Sequence, residues 1–211
     1  MKIAIIGTGN VGSALATGWA RAGHQIVLGV RDVADPNVRS LRDKTDAAAM
    51  SPREAAQAGE VVVLALPWNA AEDALSALGS LSGKIVIDCM NPLTVRDGVF
   101  SLERGFSTSA GETVAKWIPQ AKVVKTLNQV GADIMRDASG FPVPPVMFMA
   151  GDDDSAKATI AKLLRDLGFE ALDAGGLSQA RILEPFGMVW INQAMARGKG
   201  RDWAFAAVTR S

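Results

Sequence analysis

The strongest constraint on the fold lies at the start of the chain. An apolar run, Lys2–Ile6, leads directly into Gly7-Thr8-Gly9-Asn10-Val11-Gly12, after which Val11, Leu15, Gly18/Trp19 and Ala22 recur at helical spacing. A glycine turn between a buried strand and a helix is the opening of a βαβ unit. Gly7 permits the tight turn, Gly9 lets a pyrophosphate approach the backbone, and Gly12 allows the helix to pack closely on the strand. The helix N-terminus then offers unpaired N–H groups and a positive dipole end to phosphate. The spacing therefore predicts that Gly7, Thr8, Gly9, Asn10, Val11 and Gly12 hold a dinucleotide.

Short β-rich runs continue to alternate with helical patterns, as a parallel sheet requires, because parallel strands need crossover connections. Strands are expected at Gln25–Leu28, Ala47–Met50, Glu60–Leu66, Lys84–Asp88, Lys122–Thr126, Val146–Ala150 and Phe169–Leu172. Helices are expected at Pro36–Asp43, Pro52–Ala58 (with Ser51 as cap), from Asn69 as cap to Leu78, Ser109–Trp117 and from Asp152–Asp154 to Gly168. The segment Leu177–Arg197 reads as a long apolar helix that Glu184-Pro185 kinks or splits, since proline removes a ladder donor. The fold class is α/β: a Rossmann, doubly wound, mostly parallel sheet with a small C-terminal α/β segment. The expected division is a dinucleotide-binding core over 1–120 and a substrate, lid and dimerisation part over 121–211, packed on that core.

Composition narrows the function classes. Lys+Arg and Asp+Glu are both 22 among 211 residues, so no global positive field exists to hold nucleic acid or anionic lipid. The single cysteine, Cys89, leaves no disulfide framework and fits a reducing compartment. No apolar run approaches the ~18 residues of a membrane span. A cytoplasmic, soluble protein with small-molecule partners is expected. The 21 glycines sit in a chain that is 48% hydrophobic, so they mark tight turns between packed elements.

The choice of dinucleotide is written at the end of the second strand, where an NAD site places an acidic residue on the ribose. Here the sequence is Leu28-Gly29-Val30-Arg31-Asp32, and Arg31 is the first charged group. A guanidinium suits a 2′-phosphate, which favours NADP. The alternatives are a solvated Arg31 paired to Asp32, or Asp32 itself as the ribose acceptor. Leu66-Pro67-Trp68 ends the strongest strand beside the same crevice, with Trp68 either bordering a cofactor or covering the core. Asn91-Pro92 ends the next strand, where Asn91 offers an amide to a carboxamide or ribose, or simply makes a turn. Asn128 follows a later strand and is placed toward a second substrate. His24 lies at the opposite end of the sheet and reads as structural. The acids 152–154 read as helix caps, and Cys89 as packing.

In order along the chain, IIGTGNVGSALA, GHQIVLGVRD, VVVLALPW, VVKTLNQVGA and MAGDD…LGFEALDAGGLSQARILEP resemble the NADPH-dependent coenzyme F420 reductases and the dinucleotide-binding enzymes around them. The resemblance runs from Met1 to about Asn192. It implies a Rossmann domain, a small C-terminal part closing over a cleft, and hydride transfer between NADPH and a flat second cofactor, F420 or a flavin. Thr8, Gly9, Asn10, Val11 and Arg31 match the NADP-contacting stretch, and Pro67-Trp68 match its turn beside the cofactor. The family's Ser-Arg pair is Val30-Arg31 here, one 2′-phosphate contact fewer. No catalytic side chain is expected, because transfer between two rings needs mainly position and dryness. A homodimer is expected from the apolar circumference of the last helix. Two other readings compete: a reductase of a small imine or carbonyl, and a non-catalytic NADPH-binding regulator.

Overall fold

In a computed structural model, described for residues 1–210, eight strands form one sheet. The first half runs β1 (Lys2–Ile6), α1 (Asn10–Arg21), β2 (Gln25–Gly29), α2 (Pro36–Thr45), β3 (Ala48–Met50), α3 (Pro52–Ala58), β4 (Val61–Leu64), α4 (Ala71–Ala77) and β5 (Ile85–Asp88). The hairpin β6 (Leu93–Arg96) and β7 (Val99–Leu102) follows, then α5 (Ala110–Trp117), β8 (Lys122–Lys125) and α6 (Ala132–Arg136). Last come β9 (Val146–Gly151), α7 (Asp154–Asp166), β10 (Glu170–Asp173) and α8 (Ala180–Ile191).

The sheet order is β10-β9-β8-β5-β4-β1-β2-β3. All neighbours are parallel except β8 and β9. The chain winds outward from β1 through β2 to β3, then returns to place β4 on the other side of β1. The crevice beyond the carboxyl ends of β1 and β4 is therefore a topological switch point, where open α/β sheets bind ligands. Strands 121–173 extend the same sheet, so the C-terminal part shares the core's framework.

Both faces are covered, which is why the strands read as continuous apolar runs. Ile3, Ile5, Val61 and Val63 pack with Leu15, Trp19 and Leu163 on one face. Ala4, Ile6, Val62 and Leu64 pack with Ala55, Leu75 and Val114 on the other. Trp19 is fully buried and donates its indole N–H to the Leu163 carbonyl at 2.9 Å, joining α1 to α7.

Two local readings change. Asn69 does not cap α4: a 3₁₀ turn, Trp68–Ala70, precedes that helix, whose cap residue Ala70 makes no side-chain bond. Pro185 does not split the last helix, which opens with a 3₁₀ turn at Leu177–Gln179, runs through the proline as α8 and ends in a π turn at Asn192–Ala196. Hairpin β6–β7 and helix α6 lie in stretches without a clear sequence period. Ser51, by contrast, caps α3 in a reciprocal box with Glu54. Among the described residues no helix is long and apolar enough to cross a membrane.

Candidate functional site

The glycine turn sits at the carboxyl end of β1. Gly7 has φ +95°, and a Cβ there would lie 2.5 Å from the Ala65 carbonyl oxygen and 3.0 Å from Leu66 Cδ2. A Cβ on Gly12 would lie 1.9 Å from the Gly7 carbonyl oxygen. These two glycines are required by the fold itself. Gly9 differs, because a Cβ there meets nothing within 4 Å and its φ of −68° suits any residue. Its small size leaves room outside the protein.

Gly9 is also the N-cap of α1, with no side-chain cap bond and no acidic residue in the first turn. The helix start thus presents its free N–H groups and dipole end beside that open space. The turn is held from behind, since the Ser13 hydroxyl donates to the Thr8 carbonyl at 2.8 Å and the Ser13 N–H to the Gly9 carbonyl at 2.9 Å. Asn10 is exposed and Val11 half-buried at the lip.

Beyond β2, Arg31 is exposed and makes no ion pair among the described residues. Asp32 is not its partner: its carboxylate accepts from the Ala34 N–H at 2.8 Å, an Asx turn. Asp35 caps α2. Val30 is buried, with its N–H on the Met50 carbonyl, so this position contributes packing.

Beyond β4, Pro67 opens the 3₁₀ turn that carries Trp68. Trp68 stacks on Trp117 at 5.4 Å between ring centroids, donates its indole N–H to Glu103 at 3.1 Å, and has the Arg104 guanidinium over its ring. It ties the turn after β4 to the segment after β7, in addition to packing on the core.

Beyond β5 and β8, the structure brings Asn91 and Asn128 together. Asn91 Nδ2 donates to the Asn128 carbonyl at 2.8 Å, and Asn128 Nδ2 donates to Asn91 Oδ1 at 3.0 Å and to the Leu183 carbonyl at 3.0 Å. Asn128 is buried and both its amide hydrogens are used. Asn91 is half-buried and keeps one Nδ2–H, while Pro92 beside it is buried.

Beneath this pair lies a charged cluster that sequence reasoning missed. Lys125, Asp88 and Glu184 are fully buried, with Lys125 Nζ 3.1 Å from Asp88 and 3.0 Å from Glu184. Burial alone pulls the lysine down, but the two carboxylates together outweigh it and hold its pKa above the ordinary value. Lys125 is therefore a fixed cation. The available signal was that Asp88 and Lys125 end two apolar strands, where they stand in register.

The remaining candidates occupy structural places. His24 bridges Asp166 at 2.9 Å and the N-terminus, away from the glycine turn. Asp152 accepts from the Leu177 N–H, Asp153 caps α7, and Asp154 pairs with Lys157. Burial pushes the Cys89 thiol up to about 12, and Sγ donates to the Leu64 carbonyl.

Residues 2–92 match the profile described as NADP oxidoreductase, coenzyme F420-dependent. The chain is 30% identical over 209 residues to an F420-dependent NADP reductase of Methanothermobacter marburgensis, covering 91% of this chain and 92% of that one. A solved structure from Arthrobacter sp. FB24, a candidate F420-dependent NADP-reductase, superposes with a TM-score of 0.88 at 34% identity, covering 99% and 100% of the two chains. A reductive aminase from Aspergillus terreus shares the fold, with a TM-score of 0.71 at 20% identity over 93% of this chain and 63% of its own. The glycine turn at the switch point and this end-to-end likeness agree: the chain belongs to the family of F420-dependent NADP oxidoreductases.

Proposed function

We propose that this protein is an NADP-dependent oxidoreductase that transfers a hydride between NADPH and F420. The observation that carries the proposal is the space at Gly9, open on the side where the uncapped N-terminus of α1 presents its N–H groups. Nothing in the packing requires glycine there, and a pyrophosphate does. In this reading Gly7, Thr8, Gly9, Asn10, Val11 and Gly12 hold the pyrophosphate, and Arg31 meets the 2′-phosphate. Leu66, Pro67 and Trp68 border the cofactor. Asn91 and Pro92 stand at the nicotinamide end, and Asn128 backs the second-substrate side.

When bound, the nicotinamide supplies the hydride and the deazaflavin accepts it. The chain's own residues bind, orient and exclude water. No side chain takes a proton: Lys125 is a locked cation, Cys89 a protonated thiol, and His24 lies away from the turn. The part over 121–211 is the lid and dimerisation segment. Ile182 and Val189, seven apart on α8, are exposed, as are Leu93, Val95, Val99 and Phe100 on the hairpin, which supports a homodimer. The unpaired buried Cys89 supports a reducing, cytoplasmic setting, and the 22-to-22 charge balance supports small-molecule partners in place of nucleic acid.

The test is anaerobic NADPH oxidation with F420, FMN, FAD or a small carbonyl as acceptor. F420 reduction is expected. Turnover with the carbonyl alone assigns the protein to imine or carbonyl reduction, and NADPH binding without turnover assigns a regulatory role.

A further inference from the structure

The Lys125 cluster carries more order than stability demands. Burying three charges is costly, and apolar residues of similar volume often serve a core as well or better. The benefit of this cluster is where its hydrogen bonds go. Lys125 has three donors and three acceptors around it: Asp88 Oδ2, Glu184 Oε1 and the Met90 carbonyl oxygen. Asp88 uses its other oxygen to accept from the Met90 N–H at 2.9 Å. Both polar groups of the Met90 backbone are thus clamped, and the next residue is Asn91.

A second path converges on the same place. Leu127, a branched residue, sits at φ +57° and is fully buried, a strained backbone held two residues after Lys125. It is followed by Asn128, whose amide is anchored to the Leu183 carbonyl of α8 and bonded to Asn91. Glu184, next on α8, accepts from the Ala110 and Gly111 N–H groups at 3.0 Å each. Four elements (β5, β8, α5 and α8) therefore converge to fix one half-buried amide.

Resting on the hydride-transfer reading above, we infer that Lys125, with Asp88 and Glu184, is a positioning residue. By locking the Met90 backbone it holds Asn91 so that its remaining Nδ2–H meets the carboxamide of the nicotinamide ring. Lys125 touches no substrate. Its effect is on ring orientation, and the adenosine half of the dinucleotide is indifferent to it.

The experiment compares NADP⁺ with adenosine 2′,5′-bisphosphate, which lacks the nicotinamide half, by calorimetric titration of the wild type and of Asp88→Asn. The variant breaks one clamp while leaving the Lys125–Glu184 pair neutral. Bisphosphate affinity should stay within about twofold, while the NADP⁺-to-bisphosphate affinity ratio falls about tenfold and kcat falls further than KM rises. A ratio within twofold of wild type in the folded variant overturns the inference, as does an equal loss for both ligands. If Asp88→Asn does not fold, Asn91→Ala, with the cluster intact, must show the same tenfold fall, and an unchanged ratio again overturns it. A wild type that binds neither ligand shows instead that the dinucleotide reading has failed, and the inference falls with it.

Discussion

Asn91 and Asn128 hold each other through two hydrogen bonds, Nδ2 of Asn91 to the Asn128 carbonyl and Nδ2 of Asn128 to Asn91 Oδ1. The contact joins the ends of β5 and β8, 37 residues apart in the chain. Asn128→Ala also removes the acceptor of the buried Gln129 amide, and an unpaired buried group costs about 1–3 kcal/mol. Denaturant unfolding should show a loss of that size, with reduced turnover. A midpoint equal to wild type would show that the pair is incidental.

The glycine turn separates ligand from fold. Gly9→Leu points into open space, so the apo protein should melt within a few degrees of wild type while dinucleotide binding is lost. Gly12→Ala drives a methyl into the Gly7 carbonyl and should destabilise the apo protein itself. Thermal melts with and without NADPH distinguish them. Retained NADPH binding in Gly9→Leu contradicts the pyrophosphate assignment.

Arg31 is exposed and makes no ion pair among the described residues. Its replacement by Ala should weaken NADPH by roughly 1.5–3 kcal/mol, the scale of a charge-assisted hydrogen bond, and leave NADH unchanged. Fluorescence titration of both cofactors checks this. Equal losses place Arg31 outside the 2′-phosphate site.

Helices α5 and α8 are joined by a fork of two bonds, Arg181 Nε to Glu112 Oε2 at 2.9 Å and Arg181 Nη2 to Glu112 Oε1 at 2.6 Å. Arg181's hydrogen bonds chiefly hold the Glu112 carboxyl below its ordinary range, with desolvation opposing and the Ser109 hydroxyl assisting. A folded pKa below the unfolded one gives stability that is complete above the ordinary carboxylate value of ~4.3 and lost as pH falls through the folded pKa. Glu112→Gln should therefore flatten the acid side of the Tm–pH curve and leave its alkaline side parallel to wild type. Differential scanning calorimetry across that window reads the difference.

Much of this was legible because local signals and global fold agree. The Lys2–Ile6 strand, the glycine turn and the Ser51–Pro52 helix start each rest on a few adjacent residues, and each appears where the pattern places it. The site's deeper layer depends on pairings between distant strands. Nothing local in VVKTLNQVGA tells that Lys125 faces Asp88, or that Glu184, read only as a companion of Pro185, closes the same cluster from α8. Hairpin β6–β7 escaped because its strands are short and exposed, so neither burial nor periodicity marks them. Of the two outcomes read for Pro185, the split does not occur: α8 runs through a residue that disfavours helix locally.

Direct hydride transfer between NADPH and F420 leaves an isotopic signature in a single-turnover reaction with NADPH carrying deuterium at nicotinamide C4, in both stereochemical forms. One form should deliver its label to the reduced deazaflavin in stoichiometric yield, with a primary isotope effect on the transient. NADPH that stays unoxidised, or that is oxidised without label reaching F420 from either form, would rule out direct transfer.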